Sequence, residues 1–403
     1  MQSIIQKITA FFMAVAAFFS GLFGWNKKPA QPDPEPTSAT EPTTQPDPEP
    51  QLLEVLEPAR TVLENPAGPG NYFGWPSIAR LQSGKLAVAC SGFRRGHICP
   101  FGQAVMMTSS DEGRTYTPAS AIIETPLDDR DAGVVPFGEN GVIVTSFNNT
   151  RAAQRAWNPN NAEYMAYVDT ITDEDEARYL GSTFRLSFDG GNTFGEIFIS
   201  PVTSPHGPTA LANGTLLWVG RTFAEDDVFT ENNRVEAWKI NLDGTMEFVG
   251  AVPPVYKNGR LINACEPSCI ELPNGDLLCH LRDDGAFTVY QTRSSDGGVT
   301  WSVPVQLLAD RGGSPPHLYL HSSGVLICAY GYRNEPYGIR LMFSSDLGET
   351  WKTDIVLWDR GVSSDLGYPA TVELNDGSLL TVFYAQDDVN GPAVIKQIRW
   401  KLS

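Results

Sequence analysis

A glutamate, Glu266, a tyrosine, Tyr368, and the arginines Arg221, Arg282 and Arg333 occupy comparable places in recurring stretches of this 403-residue chain. A phenol beside a carboxylate can give up its proton and attack as a nucleophile. A guanidinium presents paired N–H groups that match a carboxylate bidentately, so several together make a clamp for an anion. The plainer alternative is that Glu266 and the arginines merely neutralise one another at a solvated rim. The choice depends on whether the chain brings them to one place.

Glu266 opens the segment EPSCIELPNGDLLCHLR, in which apolar runs flank Asn274-Gly275, the pattern of a β-hairpin. The phrase recurs from Trp75, Ala132, Pro205, Pro315 and Tyr368, with turn glycines at Gly84, Gly141, Gly214, Gly275, Gly324 and Gly377. Long repeats built from short strands predict a propeller, and six copies predict six blades. A second motif, Ser-x-Asp-x-Gly-x-Thr-aromatic, is interleaved at Ser109, Ser187, Ser294 and Ser344. It reads as another hairpin, whose turn is stapled by Asp111, Asp189, Asp296 or Asp346 through backbone N–H groups. The expected fold is all-β, a six-bladed β-propeller of four-stranded antiparallel blades over residues 52–403.

Equivalent strand ends of a propeller surround one funnel, and an antiparallel hairpin returns to where it began. The residues nine before each turn glycine include Trp75, Glu266 and Tyr368, with Asp131 one place before Ala132. Those seven after it include Arg221, Arg282 and Tyr384, with Arg333 two residues past Gly331. All are expected at one mouth, and His97, His206 and His317 fall near it by the same alignment.

Net charge is −18, and residues 1–52 carry only −2 of it. An acidic surface repels phosphate backbones, so nucleic acid is excluded as a partner. Between Lys7 and Lys27 lie nineteen uncharged, mostly apolar residues, long enough to cross a bilayer as a helix. Residues 1–28 are therefore expected to be a signal peptide or an anchor that tethers the chain through residues 8–25, leaving the rest extracellular. Residues 29–51 hold eight prolines and two copies of PDPEP, a disordered, extended spacer. Of the six cysteines, Cys90, Cys279 and Cys328 sit in apolar strands as small hydrophobes.

At EPSCIELPNGDLLCHLR, YRNEPYGIRLMFSSDLGETW and DLGYPATVELNDGSLLTVFY the chain resembles the sialidase (neuraminidase) superfamily, six-bladed propellers carrying Asp-box, or BNR, repeats. The resemblance implies that Tyr368 is the nucleophile and Glu266 its base. It also implies that Arg282 and Arg333 bind a sugar carboxylate, with a terminal, acidic sugar released from a glycan and no cofactor or metal required. Two departures stand out. Where the family opens its first blade with Arg-Ile-Pro, this chain has Gly74-Trp75-Pro76, and the loop from Phe93 to Gln103 lacks the family's acid/base Asp. Arg94 or Arg95 is the expected substitute for the missing guanidinium, and His97 or Asp131 for the missing proton donor. Asp131 is equally well read as the partner of Arg130. Two alternatives stay open: another glycosidase or a uronate lyase on the same propeller, or a glycan-binding propeller whose Trp75, tyrosines and arginines form a lectin-like mouth.

Overall fold

The computed structural model describes residues 52–223 and 233–403. The targeting segment and the proline-rich spacer expected from the sequence lie outside the described residues.

Six antiparallel sheets follow one another along the chain, each begun by one of the six hairpins. The fourth is typical. Ala264–Glu271 and Leu277–Asp283 flank the Asn274-Gly275 turn, and Thr288–Ser294 and Val305–Gln306 complete the blade. The glycine turns with φ near +86° at Gly275, open to non-glycine residues only with strain. Each innermost strand packs against those of its neighbours, and Tyr72–Arg80 of the first blade meets Leu366–Glu373 of the last. The ring is closed by strand pairing, not by a covalent link. The sixth blade takes its outermost strand, Leu53–Leu63, from the beginning of the propeller, paired with Ala393–Leu402 from its end. This makes a six-bladed propeller, its core divided into apolar layers between adjacent sheets, such as Ile327, Leu341, Leu379, Phe383 and Trp400 between the last two.

The stapled turns join the third and fourth strands of blades one, two, four and five. In each, the Asp accepts from the backbone N–H and hydroxyl of the Thr four residues on, at 2.9 and 2.6 Å for Asp296 and Thr300, while the preceding Ser donates to it. Asp111, Asp189 and Asp346 make the same bonds.

Blade two departs from the repeat. Three short helices, Arg151–Trp157, Ala162–Val168 and Asp173–Tyr179, are inserted between its second and third strands. Each starts from a capping side chain, Thr150, Asn161 or Thr172, that accepts from the first turn.

Candidate active site

Glu266 and Tyr368 are carried on a shared backbone device. In four innermost strands the ladder slips between the residues flanking Trp75, Asp131, Glu266 and Tyr368. Those four residues have φ of 54°, 47°, 46° and 48°, a left-handed conformation that disfavours any side chain. The bulge lets a side chain leave the strand's alternation, and all four line one cavity of about 220 Å³. Strain of this kind persists only where the surrounding structure over-determines the backbone, at a cost of about 1–3 kcal/mol per residue.

Arg130, Arg221, Arg282 and Arg333 also line this cavity, with His97, Asp284, Phe147 and Phe223. Tyr368 Oη donates to Glu266 Oε1. Arg282 Nη1 donates to Glu266 Oε2 at 2.6 Å and to Tyr368 Oη at 3.3 Å, and its Nη2 reaches Asp284 Oδ1 at 2.6 Å. Burial pushes the Tyr368 phenol well above its ordinary value, with Glu266 and Asp131 adding to it against Arg282 and Arg333. Burial also opposes ionisation of Glu266, but the Arg282 charge and the Tyr368 hydroxyl outweigh it and hold the carboxyl below its usual range. The site therefore pairs a neutral phenol with an ionised glutamate. Arg130 and Arg282 each keep a buried Nε with no protein acceptor, although Arg282 pairs with Glu266 and Asp284 through its Nη atoms and Arg130 Nη1 lies 3.7 Å from Asp128.

Arg130 was not among the arginines singled out by the sequence. It stands one residue before the Asp131 bulge, the place Gly74 holds before Trp75, and its guanidinium carbon lies 4.4 Å from the centre of the Trp75 ring. Blade two thus carries an arginine at the position where blade one has Gly74. Arg94 and Arg95 do not supply the guanidinium missing from blade one. Arg94 is fully buried, donating to Asp128 Oδ1 and Oδ2 at 2.5 and 3.1 Å, because a charge taken out of water must be paired. Arg95 turns away to pair with Glu163 and lies over the Phe101 ring, lining a separate depression.

The histidines divide. His97 lines the cavity, its Nδ1 2.9 Å from Asp365 Oδ1 and 2.9 Å from Tyr72 Oη. Desolvation is the largest influence on it and lowers the imidazole below its ordinary value, despite Asp365. Asp365 also accepts from Tyr384 Oη at 3.2 Å and from Tyr72. Burial works against its charge, but these donors hold it low. His206 and His317 do not reach the mouth. Their rings meet at 4.7 Å in another cavity, farther along the axis, with Ser77, Ser268 and Thr371. His317 lies two residues past the mouth position on an unbulged strand, hence on the same face but about 6.5 Å deeper. Tyr384 lines a neighbouring cavity rather than this one. Asp365, like Arg130, escaped sequence reasoning. Its only signal was proximity, three residues before Tyr368.

Residues 206–381 match the family described as BNR repeat-like domain. Among solved structures, the chain is similar to a protein of unknown function from Dyadobacter fermentans, at 20% identity and a TM-score of 0.70, covering 87% of this chain and all of that one. NanB sialidase from Streptococcus pneumoniae matches at 14% identity and a TM-score of 0.61, over 86% of this chain and 71% of that one. Trypanosoma rangeli sialidase, bound to the inhibitor DANA, matches at 15% identity and 0.57, over 85% of this chain and 60% of that one. The fold is the sialidase-type propeller. No curated protein matches the sequence. Within a sialidase-type propeller the cavity occupies the axial mouth, where strand ends of all blades converge.

Proposed function

We propose that the chain is an exo-acting glycosidase that releases a terminal acidic sugar, of the sialic acid class, from a glycan. The observation that carries this reading is the hydrogen bond from Tyr368 to Glu266 inside a cavity lined by four arginines.

A sialoside bears a carboxylate on its anomeric carbon, so an anionic Asp or Glu nucleophile would be repelled, whereas a neutral phenol can approach. Arg130, Arg221, Arg282 and Arg333 hold the substrate carboxylate. As Tyr368 Oη bonds to the anomeric carbon, its proton passes to Glu266. The glycosidic C–O bond breaks, and its oxygen takes a proton from His97, which Asp365 orients. In the second half, water gives a proton to His97 and its oxygen displaces the Tyr368 phenolate, which recovers its proton from Glu266. Asp131, on the equivalent bulge of blade two, is the rival acid. The true acid is the residue whose replacement, His97→Gln or Asp131→Asn, spares aryl glycosides with good leaving groups while abolishing cleavage of natural linkages. The N-terminal segment supports an extracellular location, either secreted or tethered to a membrane.

A second reading, a uronate lyase, draws on the lowered imidazole of His97. A neutral His97 would take the proton α to the carboxylate while Tyr368 protonates the leaving oxygen. The deciding assay compares wild type with Tyr368→Phe on an α-linked sialoside and on uronate oligosaccharides. Free sialic acid, lost in the variant, supports the hydrolase. An unsaturated uronate product replaces it with the lyase, and binding without product from any glycan leaves a lectin.

A further inference from the structure

Beside the candidate active site lies a second cavity of about 460 Å³, and the two share His97 and Arg333 as walls. The first, at about 220 Å³, is smaller than the ~300–1,000 Å³ usual for a whole ligand, so it suits a single sugar ring. Whatever that sugar is attached to must leave past the wall that carries the proton donor, and His97 faces both spaces. The second cavity is therefore where the next residue of the glycan would lie.

Its lining has a definite chemistry. Arg311 and Arg333 both contribute to it, and neither forms an ion pair with an acid among the described residues. In a chain of net charge −18, most other arginines near this face are paired, as Arg94, Arg95 and Arg282 are. Asn334 Nδ2 donates to the Arg311 carbonyl at 2.6 Å and Arg311 N to Ala286 O at 2.7 Å, so the backbone presenting Arg311 is fixed from two sides. Arg333 is held through Nε to Leu366 O at 3.1 Å. Phe287, 41% exposed, forms an apolar platform on the same wall. Ser314 also borders the cavity, but it is nearly fully buried and its unpartnered hydroxyl is closed off from the open space. Asp365 is the only carboxylate in the lining, and it is already engaged by Tyr72, Tyr384 and His97.

We infer that this second cavity is a subsite for an acidic leaving residue, and that the preferred substrate carries a second anion on the sugar next to the one released. The inference rests on the glycosidase reading above. Arg311 supplies the cation, beside Arg333 on the wall shared with the first cavity, the Phe287 ring supports a sugar face, and Asn334 meets hydroxyls. The anion is a carboxylate, as in two acidic sugars in series, or a sulfate ester on a neutral sugar. Both fit a guanidinium.

The test measures binding in the Tyr368→Phe protein, so that turnover does not interfere, by calorimetry with three disaccharides. Each has the same terminal sialic acid, linked to a neutral hexose, to a second sialic acid or to a sulfated hexose. The expected result is that at least one acidic disaccharide binds about two- to fivefold tighter than the neutral one, the scale of one exposed guanidinium–anion pair. Adding Arg311→Gln should erase the difference while leaving the neutral ligand's affinity unchanged. Which acidic ligand gains identifies the anion. Equal binding of all three, or a preference that survives Arg311→Gln, overturns the subsite and leaves the glycosidase reading intact. If none of the three binds, the glycosidase reading fails and takes the subsite with it.

Discussion

Replacing Arg94 by methionine separates a structural arginine from a substrate-binding one. Its guanidinium and the Asp128 carboxylate are both fully buried, with two hydrogen bonds of 2.5 and 3.1 Å between them. Arg94 further donates to the carbonyls of Gly96 and His97, at 3.3 and 3.0 Å, which ties down the loop carrying His97. Removing one partner of such a pair strands the other charge in protein, at a cost of about 3–5 kcal/mol. Asp128 is not left wholly alone, because Arg130 Nη1 lies 3.7 Å away and Gln154 Nε2 3.2 Å away. The lower end, about 3 kcal/mol, is therefore expected. For a unit of roughly 350 residues, an unfolding entropy near 0.7 kcal/mol/K makes this a fall of about 4 °C in Tm. Denaturant and thermal unfolding of Arg94→Met should show that loss, and Arg94→Met with Asp128→Leu should recover most of it by removing the stranded carboxylate. An Arg94→Met protein of unchanged stability that no longer binds substrate would refute the argument and return Arg94 to the carboxylate clamp.

Activity should be bell-shaped in pH and confined to the acid side. Glu266 must be ionised, and its pKa lies below the ordinary 4.5, whereas His97 must carry a proton, and its pKa lies below 6.5. A kcat profile still rising above pH 7 would remove His97 as the acid. The half-buried His317 imidazole is depressed by desolvation to about 4 from 6.5, so the unfolded chain takes up that proton first. Stability contributed by the neutral ring is lost as pH falls from 6.5 towards 4, by up to about 3 kcal/mol. His317→Gln should flatten the stability–pH slope across that window, as measured by urea unfolding. Deleting residues 393–403 removes the strand that pairs with both Leu53–Leu63 and Leu379–Gln386. Cooperative thermal unfolding should vanish, and an unchanged transition would show that ring closure contributes little.

The fold was legible because it is written six times. Each hairpin repeats a turn glycine between apolar runs, and the blade number follows from their recurrence. The position of Glu266 and Tyr368 was legible for the same reason, since equivalent positions of a ring face one axis. The bulges were not. Trp75, Glu266 and Tyr368 each precede a proline eight residues before the turn glycine, but the residue before a proline reads as ordinary extended chain, and only the ladder slip and the positive φ reveal the bulge. The alignment placed His317 one strand period too shallow, and His206 falls in a turn between two short strands that the alignment read as one. Proximity in sequence also misled at Arg94, where nothing nearby in the chain announces Asp128, thirty-four residues away, as its buried partner. Arg130 and Asp365 were missed because each matters through neighbours on another strand or blade, Trp75 for one and His97, Tyr72 and Tyr384 for the other. The helices of 151–179 interrupt the strand pattern, and their caps are short polar residues that read equally well as loop.

The bulges also set a limit on how stable this protein can be while it keeps the mouth in this form. Four non-glycine residues in left-handed conformation, at about 1–3 kcal/mol each, withhold an amount comparable to the whole ~5–15 kcal/mol that separates a folded domain from its unfolded chain. Thermostabilising selection without an activity screen would therefore find these positions early and relax them, starting with Asp131 and Glu266, whose side chains contribute least apolar packing. The survivors would be sturdier rings with an empty mouth. Conversely, because each bulge interrupts the ladder of only one strand pair, a new side chain at one of them can alter the chemistry at the axis while the other five sheets keep their register. The blades that lack a bulge there, the third and the fifth, are the natural places to add a functional group.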